Sequence, residues 1–204
     1  MSALMIARHG NTFEPNEIPR RIGKRTDLPL TASGLEQAHR LGQYLKDHTL
    51  HPDIIITSTL QRTKQMATII ALYIQSDFEL IEDSRFDEID YGVDENKTED
   101  EVIARLGTQA IEAWNDHGIL PQGWHADIDR INRSWRKLAE QSRTKTILVI
   151  TSNGIARFAP LLTGDEINFR KKNTIKMATG ALSLFAPNPS SDNFTCELWN
   201  FRPS

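Results

Sequence analysis

The sequence predicts an α/β fold: a three-layer sandwich with a mostly parallel central sheet, helices on both faces and an inserted cap segment. Three observations carry this reading. Leu4-Met5-Ile6-Ala7, Asp53-Ile54-Ile55-Ile56-Thr57 and Thr146-Ile147-Leu148-Val149-Ile150 are short, nearly continuous apolar runs, which fit strands buried on both faces of a largely parallel sheet. Stretches with helical apolar spacing lie between them, and the connections are short. Residues 84–125 are the least regular part, polar but holding Trp114 and Trp124, which suits an insertion over a site. One domain, residues 1–204, with a cap-like insertion at about 84–125 is expected.

Each element has its own signal. In the first helix Leu35, Ala38, Leu41, Gly42 and Leu45 recur at helical spacing and make one apolar stripe. Ser33, with Glu36 three residues on, offers a capping-box start, and Thr31 is an equally good N-cap. A second helix is predicted from about Leu60 to Ile74, with Met66, Ile69, Ile70 and Tyr73 inward. Glu99–Leu106, Trp124–Gln141 and Ile155–Leu162 also read as helical. Later strands are expected at Ala181–Ala186 and Phe194–Leu198, joined through the turn-rich Pro187-Asn188-Pro189.

Composition narrows the function. The chain has 204 residues, 24 Lys plus Arg against 27 Asp plus Glu, and a formal charge of −3. That balance argues against a nucleic-acid partner, which usually demands a basic excess. No apolar run approaches the roughly 20 residues of a spanning helix, and Ala3–Ala7 is too short for a secretory core. No membrane partner and a cytoplasmic location are therefore expected. The single cysteine, Cys196, excludes an internal disulfide, and six histidines without ligand spacing predict no metal. A Gly-rich loop with Lys-Ser/Thr and a dinucleotide fingerprint are both missing, so no cofactor is expected. Nothing in the sequence reports oligomeric state.

Ligands of open α/β sheets bind beyond the carboxyl ends of the strands. Three predicted strands end in polar residues there: Arg8-His9-Gly10-Asn11-Thr12, Thr57-Ser58-Thr59-Leu60-Gln61-Arg62 and Thr151-Ser152-Asn153-Gly154. If these strands are parallel neighbours, two arginines, a histidine and a helix N-terminus converge. Two guanidiniums match phosphate oxygens bidentately, and a helix N-terminus adds free N–H groups. A histidine among them can take a phosphoryl group on one ring nitrogen while a backbone carbonyl holds the other. Such a site also needs a proton donor for the leaving oxygen. This reasoning reaches Arg8, His9 and Arg62, but it selects no particular acid.

The same segments resemble the histidine phosphatase superfamily, the phosphoglycerate-mutase-like proteins. Arg8-His9-Gly10-Asn11-Thr12 resembles its opening signature, and Asp27-Leu28-Pro29-Leu30-Thr31, Gly34 and Gln37-Ala38 its next block. Ser58, Leu60, Arg62 and Ala67 resemble its Ser-x-Leu-x-Arg block, and Phe86–Gly92 with Glu95 the segment carrying its acid. Val149–Arg157 has the frame of its last block, so the likeness spans most of residues 4–181. The resemblance implies His9 as phosphoryl acceptor, Glu88 as proton donor, and Arg8, Arg62, Ser152, Asn16 and Asn153 as phosphate-binding residues.

Departures from the family pattern lie on the substrate side. Ser152 stands where the last block normally has a second histidine. A serine is shorter and never cationic, and losing one preorganised donor costs about 10²–10³ in rate. The family's phosphate-contacting asparagine falls at Pro15, with Asn16 one residue later; Ile22 occupies a usually polar position. Pro121-Gln122-Gly123-Trp124-His125 replaces a common Gly-Gly-Glu-Ser. His39, His48 and His51 read as solvated. His117 and His125 lie in the cap segment, from which either is a candidate to swing over the phosphate, with cap packing as the plainer reading. Arg20, Arg21, Lys24 and Arg25 form either a solvated loop or a recruiting patch for a multiply anionic substrate. Lys171-Lys172 reads the same way.

These readings predict a phosphomonoester hydrolase acting on a small phosphorylated substrate through a phosphohistidine at His9. The Glu88 block is more like the phosphatase branch than the mutases, and the chain is short for a sugar-phosphate mutase. The alternatives are a catalytically silent phosphate-ligand binder or regulatory member, motivated by Ser152, and a phosphoglycerate-type mutase.

Overall fold

The computed structural model describes residues 2–74 and 76–204. Its centre is a mixed six-stranded sheet in the order β3-β2-β4-β1-β5-β6. The strands are β1 (Ala3–Arg8), β2 (Ile54–Thr57), β3 (Glu79–Glu82), β4 (Thr146–Thr151), β5 (Leu182–Pro187) and β6 (Phe194–Phe201). β1 to β4 form one parallel block, and β5 and β6 extend it antiparallel. The predicted α/β class with a mostly parallel sheet is the architecture observed.

The continuous apolar runs are explained by two-faced burial. Along β1, Met5 joins one core with Ile55, Leu148 and Ile150, covered by Ala38, Leu41, Leu45, Met66 and Ile70 of α1 (Ala32–Asp47) and α2 (Gln61–Ala71). Leu4 and Ile6 point the other way, into a second core with Ile147, Val149 and Trp135 and Leu138 of α5 (Ile128–Gln141). Alternate residues of one strand therefore serve opposite layers. Fully burying each large apolar side chain contributes about 1.5–3 kcal/mol, so neither layer is dispensable.

Several boundaries differ from the sequence reading. Thr31, not Ser33, caps α1, its hydroxyl accepting from the Gly34 N–H at 3.2 Å. Leu35 is exposed, and Gly34 takes the buried place on that turn because the loop after β1 lies against it. Trp124–Asp127 is loop, with Asp127 capping α5. The predicted helix at Ile155–Leu162 is broken into α6 (Asn153–Ala156) and a 3-10 segment, Ala159–Thr163, with Pro160 at its start. β3, α4 (Thr108–His117) and α7 (Glu166–Lys172) carried no recognised signal. β3 has mostly exposed side chains, and α7 buries none of its residues, so neither shows an apolar period.

Residues 84–125 contain single 3-10 turns at Ser84–Phe86 and Gly92–Asp94, then α3 (Glu99–Leu106) and α4. A capping box between Thr98 and Glu101 opens α3. Val102, Ile111, Trp114 and Trp124 are buried in the second core. Trp114 and Trp124 meet edge-to-face at 5.5 Å, and Tyr91 meets Trp124 at 4.7 Å. This segment is polar in composition but anchored by aromatic rings.

The Asp94 carboxylate ties these pieces together. It accepts from Trp124 Nε1 at 2.6 Å and from the Arg105 guanidinium through both oxygens. Burial pushes its pKa up, but the bonds from Arg105 and Trp124 outweigh that and hold it below the usual carboxylate range. Asp94→Ala strips a buried indole N–H of its partner, and Arg105 rehydrates only partly. Urea unfolding of the variant at neutral pH is expected to show a loss of about 2–3 kcal/mol; a change under about 0.5 kcal/mol, ordinary for a surface site, contradicts this account.

Candidate active site

Strand register decides which loops meet. Arg8 of β1 sits opposite Thr151 of β4, and Thr57 of β2 opposite Ile150. The segments His9–Asn11, Ser58–Arg62 and Ser152–Gly154 therefore leave the sheet side by side at its carboxyl edge. The His9 N–H donates to the Thr151 carbonyl at 3.0 Å, fastening the first loop to the last. Gly10 makes this possible: a Cβ there would collide with the Gly34 carbonyl at the start of α1.

His9 is buried, with Nδ1 2.8 Å from the Gly10 carbonyl. A carbonyl only accepts, so Nδ1 carries the proton of the neutral ring and Nε2 keeps a free lone pair. Burial, then the positive charges of Arg62 and Arg8, push its pKa well below the ordinary value of 6.5. The two guanidiniums are thus neighbours of the imidazole.

Both are held by backbone carbonyls and not by carboxylates. Arg8 donates to the Met177 carbonyl at 2.5 Å. Arg62 donates to Thr26 at 3.0 Å, Gly23 at 3.3 Å and Ile22 at 3.4 Å. Burial lowers the pKa of each, and the Glu88 charge is the first to oppose it. Arg8 Nε, Arg62 Nε and Ser152 Oγ are buried and have no hydrogen-bond partner among the described residues. An unmet buried donor costs about 1–3 kcal/mol, and an anion that accepted from these groups would offset that cost.

Glu88 is buried on the same side. One carboxylate oxygen accepts from the Ile89 N–H at 2.8 Å and the other from the Gly154 N–H at 3.2 Å. Any Cβ at residue 154 would strike that carboxylate. The sequence reading expected a helix N-terminus here to add free N–H groups; the Gly154 N–H is spent on Glu88, and α6 is a single turn.

A cavity of about 440 Å³ opens over this cluster, lined among others by Arg8, His9, Glu88 and Asn153. Arg62 and Ser152 are buried and are not among the lining residues. Asn16 is exposed and outside the cavity, so the loop does not deliver it. The asparagine of this loop that lines the cavity is Asn11, bonded to Ser33 at 3.2 Å and Thr179 at 2.5 Å. Neither His117 nor His125 reaches the cavity. His125 pairs its backbone with Asp90, and the His117 carbonyl accepts from Arg170 at 2.6 Å. The basic stretch divides: Arg20 and Arg21 line the cavity, whereas Lys24 and Arg25 pair with Asp90 at 3.9 and 3.0 Å. Lys171 and Lys172 are exposed on α7 and are not among the lining residues.

Lining residues that the sequence reading did not single out include Asn115 of α4, Arg157 and Lys176. Arg157 stacks on Trp114 with its guanidinium carbon 3.8 Å from the ring centroid, and burial brings its pKa down to about 10. Its signal was its place four residues after Asn153, on the same helical face. Asn115 and Lys176 had none. Among the described residues, no three His, Cys, Asp or Glu side chains converge to hold a metal ion, and no helix is long and apolar enough to cross a membrane.

Comparison with known proteins places the chain. Residues 4–202 match the model of the histidine phosphatase superfamily, branch 1. A 2,3-bisphosphoglycerate-dependent phosphoglycerate mutase of Chelativorans sp. (strain BNC1) is 31% identical over 196 residues, covering 92% of this chain and 93% of the mutase. An uncharacterized phosphatase of Bacillus subtilis, PhoE, is 39% identical over 92 residues, a match spanning 45% of each chain. Among solved structures, a mycobacterial glucosyl-3-phosphoglycerate phosphatase superposes with a TM-score of 0.78 at 19% identity, covering 98% of this chain and 99% of that one. The chain belongs to branch 1 of the histidine phosphatase superfamily.

Proposed function

We propose that the protein is a phosphomonoester hydrolase that works through a phosphohistidine at His9, with residues 84–125 as a cap over the site. The observation that carries this reading is the buried imidazole held through Nδ1 by the Gly10 carbonyl, within the field of the Arg62 and Arg8 guanidiniums. The phosphate of the substrate binds to Arg8, Arg62, Ser152 and Asn153. His9 Nε2 attacks phosphorus in line, and the bond from phosphorus to the ester oxygen breaks as Glu88 gives its proton to the departing alcohol. Glu88 then takes a proton from water, the water oxygen attacks phosphorus, and the phosphorus–nitrogen bond breaks. Inorganic phosphate leaves and His9 returns to its neutral form. Relatives include both phosphatases and mutases, and a mutase differs only in passing the phosphoryl group to a second hydroxyl.

A silent phosphate binder is the second reading, favoured by Ser152. It stands at the second-histidine position, its buried hydroxyl has no partner among the described residues, and no other histidine lines the cavity beside His9.

With an aryl phosphate, wild type is expected to release inorganic phosphate, and His9→Ala to lose about 10³-fold or more. Ser152→His is expected to raise kcat by about 10-fold or more, since it restores a preorganised donor. No turnover in wild type with a gain in Ser152→His favours the silent binder; turnover that survives His9→Ala removes the phosphohistidine.

The pH dependence follows from His9. The nucleophile works only unprotonated, so the acid limb of the kcat/KM profile is expected below 6.5, the ordinary histidine value. The same residue shapes stability. Between its folded and unfolded pKa values the unfolded chain binds the extra proton, so stability rises with pH there and is complete above about 6.5. Replacing His9 by Gln is expected to flatten that slope in denaturant titrations between pH 5 and 7. An acid limb at or above pH 6.5, or an unchanged slope, contradicts this assignment.

A further inference from the structure

Among the described residues Arg62 pairs with no carboxylate, so the carbonyls that receive it decide where its guanidinium points. Nη1 donates to the Thr26 carbonyl at 3.0 Å, and Nη2 to the Gly23 and Ile22 carbonyls at 3.3 and 3.4 Å. All three carbonyls belong to the connection between β1 and α1, outside any helix or strand. A cradle made of loop carbonyls is only as well placed as the loop that carries it.

Glu95 grips that loop at the same residues. Its Oε2 accepts from the Gly23 N–H at 2.9 Å and from the Thr26 hydroxyl at 2.6 Å. Gly23 and Thr26 therefore each donate to Glu95 and accept from Arg62, linking carboxylate to guanidinium across a single residue. Hydrogen bonds to a carboxylate are charge-assisted and stronger than those between neutral groups. The other oxygen, Oε1, is buried with no hydrogen-bond partner among the described residues, and it lies so close to Gly23 that any Cβ there would collide with it. The support is braced in turn. The Asn96 N–H donates to the Arg21 carbonyl at 2.7 Å, and the Arg21 N–H to the Lys97 carbonyl at 2.8 Å. Glu95 itself does not line the cavity.

We infer that Glu95 is a positioning residue for Arg62: it sets the carbonyls of residues 22–26 and so aims the guanidinium at the phosphate. The inference rests on Arg62 as a phosphate ligand in the reading above and adds a residue to that site. Its effect passes through Gly23 and Thr26, without contact to the substrate.

Calorimetric binding of inorganic phosphate tests this without requiring turnover. Glu95→Ala is expected to weaken the phosphate Kd about 10-fold. Glu95→Gln, whose amide oxygen accepts from the same two donors, is expected to stay within about 2-fold of wild type. Thr26→Val removes one donor but keeps the carbonyl, and is expected to weaken binding about 3-fold. In an Arg62→Lys background the fork that the carbonyls orient is gone, and Glu95→Ala is expected to add less than about 2-fold. Additive losses in that cycle, or unchanged phosphate affinity in Glu95→Ala, overturn the inference. Should Glu95→Ala fail to fold, Thr26→Val replaces it in the cycle and is read the same way. Hydrolysis of an aryl phosphate separates this role from the catalytic reading. If wild type binds phosphate, shows the coupled losses and hydrolyses nothing, the hydrolase reading fails and the positioning role stands. If wild type hydrolyses the ester and Glu95→Ala keeps its full kcat/KM, the positioning role fails and the hydrolase reading stands.

Discussion

The structure around the carboxyl edge of the sheet depends on one arrangement: two guanidiniums and an imidazole buried together without a carboxylate bonded to either arginine. Taking such charges out of water is costly. Backbone carbonyls of Ile22, Gly23, Thr26 and Met177 absorb part of that cost, and the field of Glu88 absorbs more. The remainder is left as unpaired donors. The loops from Ile22 to Thr26 and around Met177 are therefore held in place by the arginines they solvate, and the cavity walls and the cationic cluster are one structural unit.

Much of this was legible in the sequence, for identifiable reasons. The parallel core strands announce themselves because alternate residues face two apolar layers, which makes the runs continuous. Arg8, His9 and Arg62 could be singled out because they follow predicted strands, where sheet geometry gathers loops. Glu88 was reachable only through family resemblance, since nothing in its local pattern separates it from Asp87 or Asp90. Asn16 lies outside the cavity because loop length does not fix loop path: the chain turns at Pro15 and Asn16, leaving both exposed, and comes back to the cavity at Pro19 and Arg20. Lys176 and Asn115 were invisible because their role comes from long-range packing, with no periodicity to betray it. Arg157 shows the intermediate case, its helical spacing from Asn153 hinting at a shared face that only Trp114 makes specific.

The segment between residues 84 and 125 joins the two kinds of information. Its irregular, polar sequence hides an aromatic frame of Tyr91, Trp114 and Trp124. That frame stiffens Arg21 and Arg157 by stacking. The cations here are thus held in two ways, Arg21 and Arg157 on aromatic faces and Arg8 and Arg62 on backbone carbonyls.

The grip of Glu88 on the Gly154 N–H has a further consequence. It makes the acid and the turn after β4 mechanically dependent, so residue 154 cannot gain even a methyl group without displacing the carboxylate. Divergence in this turn is channelled onto its neighbours, and Ser152 and Asn153 are the two positions immediately before the fixed glycine. A lineage can thus exchange side chains at those two positions while the Glu88 carboxylate stays where it is.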